Sequence, residues 1–203
     1  MKYPFSEKYN TPEILAKIMG PNPMRLEEEL LTGHRIPAGS VVCDLGSGQG
    51  LTSVFLAREY GFTVYAADLW SDPEENRRFF WEMGLSDAEI IPVKVDAADM
   101  PFEKEFFDGV VSTDSYNYFG RDPDYLDEKL LPFVKKGGYP SPEKYSALIR
   151  SVRLPQNRNR LSSLSSWPNC WVTIAAIAAT FSGRVRLDYK RRSIGCCSSS
   201  CRR

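Results

Sequence analysis

Three carboxylates, Asp44, Asp68 and Asp96, each close a short apolar run, and the first is followed by Gly46, Gly48 and Gly50. A carboxylate at a strand's end accepts hydrogen bonds, attracts cations, and stands where open α/β sheets bind their ligands. The stretch VVCDLGSGQGLTSVFLA, Val41 to Ala57, leaves an apolar run through this acid and these glycines and enters a helical pattern. A turn built for pyrophosphate spaces its glycines as G-x-G-x-x-G. Here the spacing is D-x-G-x-G-x-G with Leu51 next, and Asp44 would repel a pyrophosphate and welcome a cation. The plain alternative is an ordinary strand-to-helix turn with a chance glycine cluster. A nicotinamide-dependent oxidoreductase stays open only because Asp68 can also accept from a ribose in that class.

These residues need a scaffold, and the hydrophobic pattern supplies one. Residues from Thr11 to Leu31 read as helical pieces interrupted at GPNP, Gly20 to Pro23, with MRLEEELL resuming helical spacing. SVVCDL predicts a strand and LTSVFLAREYG a helix stopping near Gly61. The rhythm repeats with TVYAADL as strand and DPEENRRFFWEMG as helix, where Asp72 predicts the N-cap, Pro73 the first position and Gly84 the stop. IIPVKVDA and FDGVVSTD predict further strands, and RDPDYLDEKLLPFVKKGG a helix with Lys135 and Lys136 at its C-terminal end. Strands alternating with helices predict an α/β fold, a mostly parallel, doubly wound sheet covered on both faces.

The glycine turn, with the segments VYAADLW, VDAADMPF and FFDGVVSTDSYNYFG following in order, resembles the Rossmann-like, class I S-adenosylmethionine-dependent methyltransferases. The likeness covers residues 12–139 and extends, more loosely, to bacterial type 11 methyltransferases and relatives of the cyclopropane fatty acid synthases. It implies S-adenosyl-L-methionine as cofactor. Asp44, Gly46, Ser47, Gly48, Gln49 and Gly50 would then hold its methionine and ribose portions, with Asp44 near the ammonium. Asp68, 18 residues after Gly50, would accept from the ribose hydroxyls, with Leu69 and Trp70 packing on the adenine. Asp96 and the backbone N–H of Ala97 would meet the adenine edge. Ser112, Thr113 and Asp114 would lie near the methionine moiety, and Tyr116, Asn117 and Tyr118 near the transferred methyl, with Tyr116 as the candidate catalytic residue. Pocket wall or core is the competing reading of these aromatics. His34 is a candidate general base or, more simply, a capping or solvent-facing residue near a helix end.

Composition narrows the rest. Lysine plus arginine and aspartate plus glutamate balance at 26 each, but residues 145–203 hold 11 basic residues against one acid, and residues 1–144 hold 15 against 25. The N-terminus carries no apolar leader, and CWVTIAAIAATF is too short to span a bilayer, so a cytoplasmic protein is expected. One histidine and no CxxC pair among five cysteines argue against a metal centre or a disulfide framework.

After Gly138, where a fifth strand is due, the chain turns to PSPEKYSALIRSVRLPQNRNR. This divides it into a cofactor-binding domain, 1–139, and a basic Ser/Arg/Cys-rich tail, 140–203. The tail reads either as a frame-shifted or partly disordered stretch that leaves the sheet incomplete, or as a basic arm. In the second case Arg150, Arg153, Arg158 and Arg160 would contact nucleic acid, as in an RNA methyltransferase or RNA-binding protein. The leading expectation is methyl transfer to a small-molecule or lipid acceptor.

Overall fold

Side chains alternate along short strands and are buried on both sides, and this sets the architecture. The computed structural model describes residues 3–32, 34, 36–122 and 124–135, together with the backbone of 147–152 and 173–177. One sheet carries β1 (Val41–Leu45), β2 (Thr63–Asp68), β3 (Ile90–Lys94), β4 (Gly109–Thr113), β5 (Ala147–Val152) and β6 (Thr173–Ile177) in the order β3-β2-β1-β4-β5-β6. Strands β1 to β5 run parallel, and β6 pairs antiparallel with β5. The order reverses between β1 and β4, which is the switch point where such sheets open a crevice beyond their strand ends. Pro92 lies in β3, at the edge of the sheet, where a missing N–H is tolerated.

Val42 of β1 and Val111 of β4 enter one apolar cluster, while Cys43, Leu45 and Val110 enter the other. Helices α1 (Pro12–Leu15), α2 (Pro23–Leu30), α3 (Leu51–Tyr60) and α4 (Pro73–Glu82) feed the first cluster through Ile14, Met24, Val54, Phe55 and Phe80. The second face is covered by Phe107, Tyr125, Leu126, Leu130 and Val134. Each fully buried phenylalanine contributes about 1.5–3 kcal/mol relative to an exposed one. The helix signals read in the sequence hold. Asp72 caps α4 by accepting from the Glu74 N–H, Pro73 follows, and Gly84 takes a left-handed φ of 74°. Gly61 ends α3 in the same conformation, at φ 67°.

Two expectations change. The helix predicted over RDPDYLDEKLLPFVKKGG becomes a π-helical turn, Leu126–Leu130, and a 3-10 turn, Leu131–Phe133. Pro132 lacks an N–H and its ring clashes with the carbonyl one turn back, which disfavours a continuous α-helix by about 3 kcal/mol. Lys135 therefore does not sit at a helix end. Its N–H donates to the Phe107 carbonyl at 2.8 Å, and its ammonium pairs with Asp108 at 2.9 Å.

The fifth strand is present but starts later than Gly138 predicts. It is Ala147–Val152, beyond Pro140 and Pro142, with Val110 opposite Ala147 and Thr113 opposite Arg150. Within CWVTIAAIAATF, Thr173–Ile177 form a strand. The proposed boundary at 139, Lys136, Arg153, Arg158, Arg160, the GRVRLDYK segment and the cysteines after Cys43 lie outside the described residues. Among the described residues no helix is long and apolar enough to cross a membrane, and no group of three or more His, Cys, Asp or Glu is placed to hold a metal ion.

Candidate functional site

The turn after β1 depends on its glycines. Gly46, Gly48 and Gly50 take φ values of 83°, 54° and 78°, a region that costs a side-chain-bearing L-residue about 1–2 kcal/mol. The N–H groups of Gly46 and Ser47 both donate to the Ala67 carbonyl, which ties the turn to the end of β2. A Cβ on Gly46 would meet Ser115 at 2.4 Å, and one on Gly50 would meet the Phe80 ring at 2.3 Å. Gly48 differs, because nothing lies within 4 Å of its would-be Cβ. Its peptide groups are fixed from two sides, the N–H donating to Asp68 Oδ2 at 3.0 Å and the carbonyl accepting from Asn76 Nδ2 at 2.9 Å. The turn thus presents a rigid backbone edge with open space beside its middle glycine.

Asp44, at the end of β1, is buried, and its Oδ2 accepts from the hydroxyls of Thr52 and Ser53 at 2.6 Å each. Both donors come from the first turn of α3, immediately after the glycines. Burial pushes the Asp44 carboxyl up to about 6 despite these bonds, and the nearby charge of Asp68 adds to the rise. Its other oxygen, Oδ1, is buried without a hydrogen-bond partner, as are Ser47 Oγ and Glu27 Oε2. Unsatisfied buried acceptors are costly. Asp44 Oδ1 and Ser47 Oγ, at the turn after β1, suit a ligand with a cationic, hydrogen-bond-donating end, and the ammonium of S-adenosylmethionine fits that acceptor set where a pyrophosphate does not.

The remaining motif residues divide. Asp68 accepts three backbone N–H groups, from Gly48 on Oδ2 and from Trp70 and Ser71 on Oδ1. A carboxylate has about four lone-pair sites, so roughly one remains for a ligand hydroxyl. Leu69 and Trp70 follow it on the surface, Trp70 being 88% exposed, and they do not pack as core. Asp96 is exposed and accepts from the Ala98 N–H. Ala97 is buried, its carbonyl receiving the Tyr125 hydroxyl at 2.7 Å. Gln49 is exposed on the turn.

At the end of β4 the chain bends sharply, with Asp114 at a left-handed φ of 57°. Ser115 Oγ donates to the Leu45 carbonyl at 2.8 Å and lies 2.8 Å from Ser112 Oγ, which binds this bend to the end of β1. Tyr116 is half-buried and packs edge-on against Phe119 and Tyr125. Burial, then the charge of Asp127, raises its hydroxyl pKa. Its ring is part of a wall, and Tyr118 beside it is exposed. His34 is at the opposite end of the sheet. It stacks edge-on with Tyr60 and Phe62, at the end of α3 and just before β2, and its Nδ1 accepts from the Ile36 N–H. Burial lowers its pKa, and it is remote from the glycine turn.

Sequence reasoning did not single out Thr52, Ser53, Asn76 or Glu27. The two hydroxyls occupy the helix turn directly after Gly50 and were legible as donors for a strand-end acid. Asn76 is an isolated amide in a polar helix, and nothing local marks it. Glu27 is one of three consecutive glutamates in MRLEEELL, yet it is wholly buried.

Comparison with known proteins agrees with this geometry. The protein family described as "Methyltransferase domain" matches residues 43–140. A sarcosine/dimethylglycine N-methyltransferase of Aphanothece halophytica is 32% identical over 103 residues, 50% of this chain and 36% of that protein. Among solved structures, the [4+2]-cyclase SpnF aligns with a TM-score of 0.54 at 21% identity, over 65% of this chain and 46% of its own. The YcgJ protein of Bacillus subtilis aligns with a TM-score of 0.51 at 19% identity, over 65% and 52%. The chain thus spans 36% of the curated relative it matches and about half of these structures. Motif order, sheet order and the matched segment agree: residues 43–140 match the methyltransferase-domain family, and the sheet that carries them has the Rossmann-like α/β arrangement.

Proposed function

We propose that the chain transfers the methyl group of S-adenosylmethionine to a small-molecule acceptor at the β1/β4 switch point. The observation that carries this is Asp44, a buried carboxylate with one unpartnered oxygen, beside three left-handed glycines. When bound, the cofactor supplies an electrophilic methyl group on a sulfonium. The chain's own part is alignment and exclusion of water, since in-line displacement at such a carbon needs little else. Asp44 Oδ1 and Ser47 Oγ accept from the ammonium, and the free lone pair of Asp68 accepts from a ribose hydroxyl. Asp96 and Ala97 border the adenine. Asp114 turns the chain at the end of β4, and Tyr116 walls the side from which an acceptor enters.

A small acceptor is favoured over a lipid by the curated relative, whose name specifies sarcosine and dimethylglycine. The test is calorimetric titration of S-adenosylmethionine into the full chain, with Asp68→Ala as control and NADH as competing ligand. Binding that Asp68→Ala abolishes and NADH does not displace supports the reading. A folded chain that binds NADH, or neither ligand, overturns it.

A further inference from the structure

Helix α2 places a charge where an apolar residue belongs. Met24, Glu27 and Leu31 recur at helical spacing on its inward face, and all three are essentially inaccessible to solvent. The neighbouring glutamate shows what a satisfied acid looks like here. Glu28 accepts the N–H groups of Phe5 and Ser6 at 3.1 and 2.8 Å. Among the described residues Glu27 has only a long contact from the Thr113 hydroxyl, 3.5 Å to Oε1, and Oε2 has no partner. Thr113 ends β4, and the charge of Asp44, near the end of β1, acts on Glu27. Glu27 therefore lies beside the end of β4, on the flank of the switch point that α2 covers. A locally costly residue at an apolar position marks a functional site rather than a packing one.

Resting on the methyl-transfer reading, we propose that Glu27 is the acceptor-side carboxylate: it binds a cationic primary or secondary amine at the end of β4 and takes the proton that nitrogen must lose before it attacks. The balance is simple. The ammonium gives one proton to the Glu27 carboxylate, and the freed lone pair forms the N–C bond as the C–S bond breaks. The bonding pair leaves with sulfur as a neutral thioether, the methylated amine departs as a cation, and the Glu27 proton returns to solvent. Burial, then the charge of Asp44, holds the Glu27 carboxyl well above the ordinary range, so it is a stronger proton acceptor than an exposed glutamate. Thr113 from β4 reaches it, the charge of Asp44 from β1 acts on it, and the Tyr60 hydroxyl from α3 feels its charge. Arg150 of β5 is the register partner of Thr113 and serves as the control position.

The experiment measures S-adenosylmethionine binding by calorimetry, then transfer of labelled methyl to ethanolamine, glycine and sarcosine, with catechol and oleate as oxygen acceptors. Wild type, Glu27→Gln, Glu27→Asp and Arg150→Gln are compared as full chains. Glu27→Gln removes a buried charge and is expected to melt no lower than wild type. It should bind the cofactor nearly as well while losing about a hundredfold or more in kcat/KM for an amine, together with the acid limb of the pH profile. Glu27→Asp should recover part of both, and Arg150→Gln should leave that acid limb in place. Transfer to catechol or oleate alone, or to no amine by a chain that binds the cofactor, overturns the proposal. So does undiminished amine transfer by Glu27→Gln, or loss of its pH limb in Arg150→Gln. A wild-type chain that fails to bind the cofactor at all instead defeats the methyl-transfer reading itself.

Discussion

Acids stand at both ends of the sheet, and among the described residues the two that keep a buried, unpartnered oxygen, Asp44 and Glu27, both approach the C-terminal end. At the N-terminal end of the strands, Asp108 accepts the Val41 N–H and the Lys135 ammonium, each at 2.9 Å. Glu59, in the last turn of α3, takes the Lys8 ammonium at 2.6 Å and the Tyr9 hydroxyl at 2.9 Å. At the C-terminal end, Asp44 is met only by two hydroxyls and Glu27 by a single distant one, although both are buried. The paired acids fasten strands and helices together. Asp44 and Glu27 each keep one buried oxygen with no partner among the described residues, at a cost in stability that a binding site can justify.

Breaking this contrast at Asp44 should give the largest effect. Asp44→Asn is expected to cost S-adenosylmethionine about 2–5 kcal/mol of binding, because a buried charge loses its partner. The same substitution should stabilise the ligand-free protein. Asp44 ionises near 3.8 when unfolded and at about 6 when folded. Its stabilising contribution is therefore complete below the unfolded value and disappears as pH rises through about 6. Denaturant titrations at pH 8 should find Asp44→Asn more stable by up to roughly 3 kcal/mol.

Next comes the turn. Gly50→Ala combines a left-handed φ with a Cβ 2.3 Å from the buried Phe80 ring. It should destabilise the fold by about 2–5 kcal/mol, read as a lowered denaturation midpoint. Gly48→Ala keeps the conformational strain without the collision, so it should cost only about 1–2 kcal/mol of stability. Its methyl enters the open space beside the turn, and calorimetry should show cofactor binding weakened more than the fold.

Affinity for S-adenosylmethionine should rise about tenfold per pH unit up to about 6 and then level, because the ammonium prefers ionised Asp44. Asp44→Asn should flatten that profile. The smallest effect belongs to the paired end. The side chains of Lys135 and Asp108 are 44% and 28% exposed, and Lys135→Ala should change stability by no more than about 1 kcal/mol in thermal melts. A large loss there would remove the contrast between the two ends.

Much of this is legible in the chain. The D-x-G-x-G-x-G spacing, Asp72-Pro73 before a helix and short apolar strands depend on local geometry, and local geometry is written in adjacent residues. The start of β5 is not, because its place is fixed by pairing with β4 rather than by Gly138, where the helix was expected to end. Nor is the fate of the segment after Tyr125, where Pro132 divides an expected helix into two tighter pieces.

The sequence by itself determined the α/β class, the order of its motifs, and a turn whose glycines must adopt conformations other residues avoid. Tertiary structure alone decided which acids are satisfied. Glu27, Glu28 and Glu29 are indistinguishable as letters. Packing α2 against α3, β4 and β5 turns Glu28 toward two N–H donors near the N-terminus and leaves Glu27 sealed beside the end of β4. Desolvation and partnership depend on neighbours distant in sequence, and so on the fold.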